Sequence, residues 1–209
     1  MKFKCSLLVA IGLTVAATGV LPARAADVVA DWNAIKTPPA PQLKTVTVDP
    51  KTTALLMLDF MSQNCGKRPA CVATIPAMKK LLAAARAAKV MVVFSGFAKA
   101  TTADVLKDVS PTADEPFIRS GPDKFVNTDL DKMLKDKGIK TVITVGTASN
   151  GAVLFTAADA AFHGLKVIVP VDGMSAADPF ADLTTAFTFI NAPTVSAAST
   201  LTRSDMIKF

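Results

Sequence analysis

From residue 53 onward the chain alternates between short continuous apolar runs and longer segments of helical period. The apolar runs cover residues 54–58, 90–94, 141–145 and 166–171. They lead into Asp59, Ser95-Gly96, Gly146 and Asp172-Gly173. Unbroken apolar runs of this length suit strands buried on both faces of a parallel sheet. Between them, Pro76 stands at a first-turn position of a helix whose Met78, Leu81, Leu82, Ala85 and Ala88 share one face. Thr128 with Asp131 resembles a capping box opening a helix through Leu130, Met133 and Leu134, with Gly138 as its C′ residue. Further helices are expected over 151–163, stopped by Gly164, and over 179–190. A last strand is expected across 195–201. Strands alternating with helices predict an α/β fold: a doubly wound, mainly parallel sheet of five to six strands with helices on both faces.

The first 50 residues break this rhythm. Residues 1–25 have a basic start (Lys2, Lys4), an uncharged apolar stretch over 6–20, and an Ala23-Arg24-Ala25 ending. This is the pattern of a secretory signal peptide, cleaved after Ala25. The apolar stretch is shorter than the ~20 residues a membrane span needs; the alternative is an uncleaved N-terminal anchor. Residues 26–50 carry Pro38, Pro39, Pro41 and Pro50 and read as an extended arm lying on the domain, with Trp32 as a possible anchor. Residues 51–209 form the domain. The expected location is exported, periplasmic or secreted, with no membrane contact after cleavage.

Composition narrows the chemistry. The 209 residues carry 23 Lys+Arg against 17 Asp+Glu, a formal charge of +6. Loss of Lys2, Lys4 and Arg24 with the leader leaves 20 basic residues and a charge of +3. That small excess gives no ground for a nucleic-acid partner. One His cannot build a His-rich zinc or iron site. Of three cysteines, Cys5 leaves with the leader. Cys65 and Cys71 flank Gly66-Lys67-Arg68-Pro69-Ala70, and in an exported protein such a pair reads as a local disulfide; the alternative is two free thiols in a loop. A clasp there holds Lys67 and Arg68 just after Asp59, where either could recognise a substrate carboxylate.

In doubly wound sheets, ligands bind outside the carboxyl ends of the strands. Asp59, Gly96, Gly146 and Asp172 all fall on that edge. The run Gly146-Thr147-Ala148-Ser149-Asn150-Gly151 leads from a strand into a helix, where free backbone N–H groups can hold an oxyanion or a carboxylate. The plainer alternative is a tight strand-to-helix turn and nothing more.

Three segments together resemble the isochorismatase-like hydrolases, the superfamily that includes nicotinamidases and N-carbamoyl amide hydrolases. They are Leu55-Leu56-Met57-Leu58-Asp59-Phe60, then 121–130 with Lys124, Thr128 and Leu130, then 145–157, with Asp159-Ala160, Gly164 and Val171-Asp172 continuing the match. The resemblance covers roughly residues 50–205. It implies a triad of Asp, Lys and Cys. Asp59 matches the Asp and Lys124 the Lys, but Ala152 stands where the Cys belongs. A Cys at a helix N-terminus beside a Lys exists partly as thiolate and attacks a carbonyl while the Asp moves the proton. Alanine cannot, so Cys-dependent amide hydrolysis is excluded. The resemblance also implies an oxyanion turn at Thr147, Ala148 and Gly151, a cis Thr147–Ala148 peptide bond, and commonly a homo-oligomer. The family's frequent Gln two residues after the Asp is Met61 here, with Gln63-Asn64 following. The Asp-x-His element of metal-dependent members is replaced by 95–100, without His or acid. Neither a metal nor another cofactor is expected.

Four readings of the site stand open. In the first, the chain hydrolyses a small carboxylate- or amide-bearing molecule without a covalent intermediate, with Asp59 as acid/base and Lys124 as electrostatic partner. True isochorismatases, which cleave a vinyl ether, likewise have a small residue at the Cys position. In the second, Ala152 is an engineered substitution in a cysteine amidohydrolase. In the third, the protein is a catalytically inactive binder of a small molecule. In the fourth, it is an α/β domain of unrelated role. Individual residues have plainer roles as well: Asp59 as a strand-end cap, Lys124 as a solvated surface residue, Ser149 as a helix cap rather than a replacement nucleophile, and His163 as a surface or C-terminal cap.

Overall fold

The structure, a computed structural model, describes Ala25 and residues 27–209. The signal peptide expected over 1–25 therefore lies, Ala25 apart, outside the described residues. The chain divides into two compact units, 1–40 and Pro41–Phe209. In the first, residues 28–34 form turns instead of an extended arm. The Asp27 carboxylate starts them by accepting from the Val29 and Ala30 N–H groups at 3.0 and 3.1 Å, and the Asp31 N–H follows onto the Asp27 carbonyl at 2.9 Å.

The second unit runs β1 (Val46–Thr47), β2 (Thr53–Leu58), α1 (Pro69–Ala87), β3 (Met91–Gly96), β4 (Phe117–Arg119), α2 (Leu130–Asp136), β5 (Thr141–Thr147), α3 (Leu154–Phe162), β6 (Lys166–Pro170), β7 (Met174–Ser175), α4 (Pro179–Asn191), α5 (Val195–Ala198), β8 (Ser199–Thr202) and β9 (Ile207–Lys208). The main sheet has seven strands in the order β4-β3-β2-β5-β6-β8, with β7 beside the end of β5. Every strand pairing is parallel, and β1 pairs separately with β9. The doubly wound class expected from the apolar runs is the one found. The strand count exceeds five to six because β4 and β7, of three and two residues, are too short to leave a periodic signal.

The pleat sorts each strand into two cores, since alternate side chains point to opposite faces. Leu55, Met57, Val92, Phe94, Ile143, Val145 and Ile168 pack under Ile75, Met78, Leu81, Leu82 and Ala85 of α1. Their neighbours Ala54, Leu56, Leu58, Val93, Val142, Val167 and Val169 pack on the other face against α2, α3, α4 and α5, through Leu134, Ala157, Phe189 and Val195. Each Leu or Val fully buried in this way stabilises by about 1.5–3 kcal/mol.

Three local expectations are corrected. The first helix begins at Pro69, and Pro76 lies inside it. Pro69 fits a first turn as well as Pro76 does, and the Cys65–Cys71 disulfide ties the early turn down. Thr128 and Asp131 do not form a capping box. Asp129 takes the N-cap position without a side-chain bond, and Thr128 Oγ1 accepts from the Leu130 N–H at 3.2 Å. The last segment is helix over Val195–Ala198 and strand only from Ser199.

Gly146, in β5, is required by close approach. Its φ is +150°, and a Cβ there would meet the Leu58 carbonyl oxygen of β2 at 2.1 Å. Backbone cannot yield as a flexible side chain can. Gly146→Ala should destabilise the protein by at least about 3 kcal/mol, lowering the thermal midpoint by roughly 10 °C. Gly164→Ala, at φ +82° with nothing within 4 Å, should show only the smaller penalty of positive φ. Equal melting of the two variants would refute the close-approach explanation.

Candidate active site

The sheet order places the reversal of winding between β2 and β5: from β2 the chain winds outward through β3 and β4, then returns to β5 on the other side. Ligand crevices form at such a switch point. Leu58 and Gly146 are paired there, so Asp59 and Thr147 emerge side by side.

Asp59 leaves β2 with φ +57°, a left-handed conformation that costs a non-glycine residue on the order of 1 kcal/mol and gathers at functional turns. Its two oxygens are separately bonded. Oδ1 accepts from the Ser95 hydroxyl at 2.8 Å, and Oδ2 accepts from Lys124 Nζ at 2.9 Å. Lys124 is 1 % exposed, so it is not a solvated surface residue. Its ammonium also donates to the Gly121 carbonyl at 2.8 Å, leaving one of three donors for another acceptor.

The Lys124 segment is pinned to α3. The Lys124 N–H donates to Thr156 Oγ1 at 3.1 Å, and the Thr156 hydroxyl reaches the Pro122 carbonyl at 3.3 Å. Thr156 stands four residues after Ala152, one helical turn along. Ala152 is buried in the same cluster as Leu58 and Phe125, the chain neighbours of Asp59 and Lys124. Of the three positions singled out in the sequence, Asp59 and Lys124 therefore meet directly, while Ala152 lies in the core on the same face of the sheet.

The turn after β5 contains a cis Thr147–Ala148 bond. It continues into a π-helical turn, Ser149–Val153, before α3 begins. The expectation that Gly151 offers a free N–H is corrected: it donates to the Ala148 carbonyl at 3.1 Å, as the Val153 N–H does at 3.2 Å. Ser149 does not cap the helix. Ala148 holds the cap position, and the buried Ser149 Oγ has no partner among the described residues. The Thr147 hydroxyl donates to the Ser175 carbonyl at 3.0 Å and accepts from Arg68 Nη1 at 3.2 Å. Arg68 thus reaches the strand edge, while Lys67 is exposed.

Cys65 and Cys71 form the expected disulfide. Met61 is fully buried beside Val105, and Gln63 bonds Asp104. Asp172 accepts from the Ser204 N–H and hydroxyl at 2.8 and 2.7 Å, so it fastens the C-terminal segment. A cavity of about 510 Å³ between α1 and that segment shares no residue with the Asp59–Lys124 pair. Among the described residues no cluster of three or more His, Cys, Asp or Glu could hold a metal ion.

Ser95 and Thr156 were not singled out from sequence. Ser95 could have been found as the one polar side chain in an otherwise apolar run, aligned with Leu58 in the register of β2 and β3. Thr156 falls within the 145–157 stretch that carries the family resemblance, but no role is read for it there.

These features define an α/β protein with a polar site at the carboxyl edge of a parallel sheet, built on a buried carboxylate–ammonium pair. The isochorismatase domain model matches residues 53–200, and the chain belongs to that family. Solved structures agree in fold. A cysteine hydrolase from Pseudomonas syringae pv. phaseolicola 1448A is 21% identical, with TM-score 0.68 over 79% of this chain and 95% of that one. An isochorismatase-like hydrolase from Alkaliphilus metalliredigens is 24% identical (TM-score 0.66; 74% and 95%). An N-carbamoylsarcosine amidase from Thermoplasma acidophilum is 23% identical (TM-score 0.64; 74% and 97%). No curated protein sequence matches the chain.

Behind Lys124, the Phe125 ring stacks on His163 with centroids 4.9 Å apart. His163 caps α3 and bonds Asp131 at 3.0 Å. Burial pushes the Asp123 carboxyl above its ordinary range, and the neighbouring Asp159 adds to the rise against the opposing Phe125 N–H bond. A carboxyl raised by folding stabilises most below its unfolded value, and that benefit is lost as pH rises through the raised value. Asp123→Asn keeps an acceptor for Phe125 without the charge. Its thermal midpoint at pH 7 should exceed the parent's by about 1–3 °C, and the gain should vanish in acid below the ordinary carboxylate range. A gain that persists unchanged in acid would contradict this account.

Proposed function

We propose that the chain is a small-molecule hydrolase that works without a covalent enzyme intermediate, with Asp59 as acid/base and Lys124 as its electrostatic partner. The observation that carries this reading is the ion pair at the switch point: Lys124 Nζ and Asp59 Oδ2 are 2.9 Å apart and almost wholly shielded. Burying both charges costs several kcal/mol of desolvation per ion, and apolar residues of similar size generally serve stability as well. Buried charge together with a left-handed aspartate at a ligand edge is the mark of a site.

The chemistry follows from what each group can donate. Ser95 and Lys124 orient the Asp59 carboxylate, which carries one proton at a time to or from the substrate. With a vinyl ether, a proton passes from Asp59 to the enol carbon. Water then adds to the cation and returns a proton to the carboxylate, and the resulting hemiketal breaks into a carbonyl compound and an alcohol. Lys124 holds its partner in place and offers its remaining N–H to substrate oxygen. Some structural relatives are named for amide hydrolysis. Ala152, at the position matched to their nucleophile, brings only a methyl group, so this site suits reactions that need proton transfer alone. No cofactor is invoked, and a homo-oligomer is the assembly that the family resemblance implies.

The test is to assay the purified chain with Asp59→Asn and Ala152→Cys variants against vinyl ethers and small amides. The parent should turn over a vinyl ether, and Asp59→Asn should reduce the rate 10²–10⁴-fold. A parent inert toward both classes, with amide hydrolysis appearing in Ala152→Cys, would show instead that the site lacks only its nucleophile.

We also propose export with cleavage after Ala25, on the order of basic, apolar and small-residue segments in 1–25. N-terminal sequencing of the protein recovered from outside the cytoplasm should begin at Ala26; material beginning at Met1 would reject this.

A further inference from the structure

The charges at the site do not cancel. Lys124 is matched by Asp59. Arg68 stands at the same strand edge, and among the described residues no carboxylate forms an ion pair with it. Its Nη1 donates to Thr147 Oγ1, a neutral partner. The Thr147 hydroxyl proton is committed to the Ser175 carbonyl, which fixes that oxygen as an acceptor toward Arg68. A guanidinium has five N–H donors in a planar fork, so among the described residues most of its donors and all of its charge are unmatched.

The position of Arg68 is built. It lies inside the span closed by Cys65–Cys71, and both cysteines are fully buried. The Arg68 N–H donates to the Cys65 carbonyl at 3.0 Å, and the Val72 N–H donates to the Arg68 carbonyl at 3.0 Å as α1 begins. Asn64 accepts from the Cys65 and Met61 N–H groups ahead of it. The backbone that carries Arg68 is thus tied covalently on one side and by helix hydrogen bonds on the other. Its head group crosses 79 positions of sequence to reach Thr147, which emerges beside Asp59 because Leu58 and Gly146 are paired.

We propose that Arg68 is the specificity-determining residue of the site, selecting substrates that carry a carboxylate, and that the Cys65–Cys71 disulfide is the device that holds it there. This rests on reading the β2–β5 edge as the hydrolase site. The planar fork suits a carboxylate bidentately, as a flexible lysine does not. A neutral amide of the same shape offers one acceptor oxygen and no charge, so it gains little from Arg68.

The test measures equilibrium binding to the full chain by calorimetry or ligand-observed NMR. The probes are acetate, propionate and benzoate, each paired with its amide. The parent should bind at least one carboxylate about tenfold or more tightly than its amide. Arg68→Gln should remove that preference while leaving the amide's affinity within about twofold, Arg68→Lys should restore part of it, and the Cys65→Ser/Cys71→Ser double variant should lose most of it. A merely structural Arg68 would weaken both members of a pair together, and that result overturns the proposal. So does a parent that binds no carboxylate more tightly than its amide, or a preference that survives Arg68→Gln. A preference that survives in the double cysteine variant overturns the role of the disulfide. Turnover is read separately through Asp59→Asn: preference without turnover removes the hydrolase reading alone, and turnover without preference removes Arg68 alone.

Discussion

A lysine ammonium almost fully withdrawn from water must be matched inside the protein, and the Lys124–Asp59 contact at 2.9 Å is that match. Much of the local architecture is organised to hold its two halves together. Asp59 is delivered by the central strand β2 and turned back by a left-handed residue. Lys124 comes from an irregular segment between β4 and α2, which has no ladder of its own to fix it. That segment is instead tied by Thr156 to α3, by the Gly121 carbonyl to the ammonium itself, and by Phe125 to the His163 ring. Removing one charge would leave the other buried and unmatched, a penalty of about 3–5 kcal/mol. Asp59 and Lys124 variants therefore need a folding measurement beside every activity measurement.

The pair can sit where it does because of the sheet's winding. The winding reverses between β2 and β5, the kind of position where ligand sites form in open α/β sheets, and the Leu58–Gly146 approach brings the two strand ends side by side. β3 adds Ser95 to Asp59, and Ala152 lies in the π-helical turn that follows β5. The groups thus come from separated stretches of chain, and only the parallel register assembles them.

This explains which parts were legible in the sequence. The strands at 53–58, 91–96, 141–147 and 166–170 could be read because each is dominated by apolar residues, a consequence of burial on both faces. Asp59 and Lys124 could be placed by order and spacing within the family resemblance. β4 and β7 could not, because two or three residues carry no period. Residues 195–198 read as strand from their neighbours, yet the turn at Thr194, with φ +67°, winds them into a short helix. Ser95 and Thr156 act through contacts across the sheet and across a loop, and no local pattern records a partner that distant. The Gly151 N–H was misassigned for a similar reason: the sequence shows a helix start, but not that a π-helical turn closes on Ala148.

The proposed mechanism also separates two jobs that a thiolate enzyme combines. A cysteine at position 152 would bond covalently to its substrate and so hold the substrate in place during reaction. With Ala152 there, the hydrolysis we propose has to position its substrate entirely by non-covalent contacts, with water as the reacting partner. Proximity and orientation must then be supplied by groups rigid enough to act as a clamp. Asp59 and Lys124 hold each other, so neither is free to grip a substrate with its full charge. The remaining cationic fork at the edge is Arg68, on a backbone closed by a disulfide. On the proposed mechanism, rigidity at that point matters more than it would beside a nucleophile, because nothing covalent would correct a loosely held substrate before water attacks.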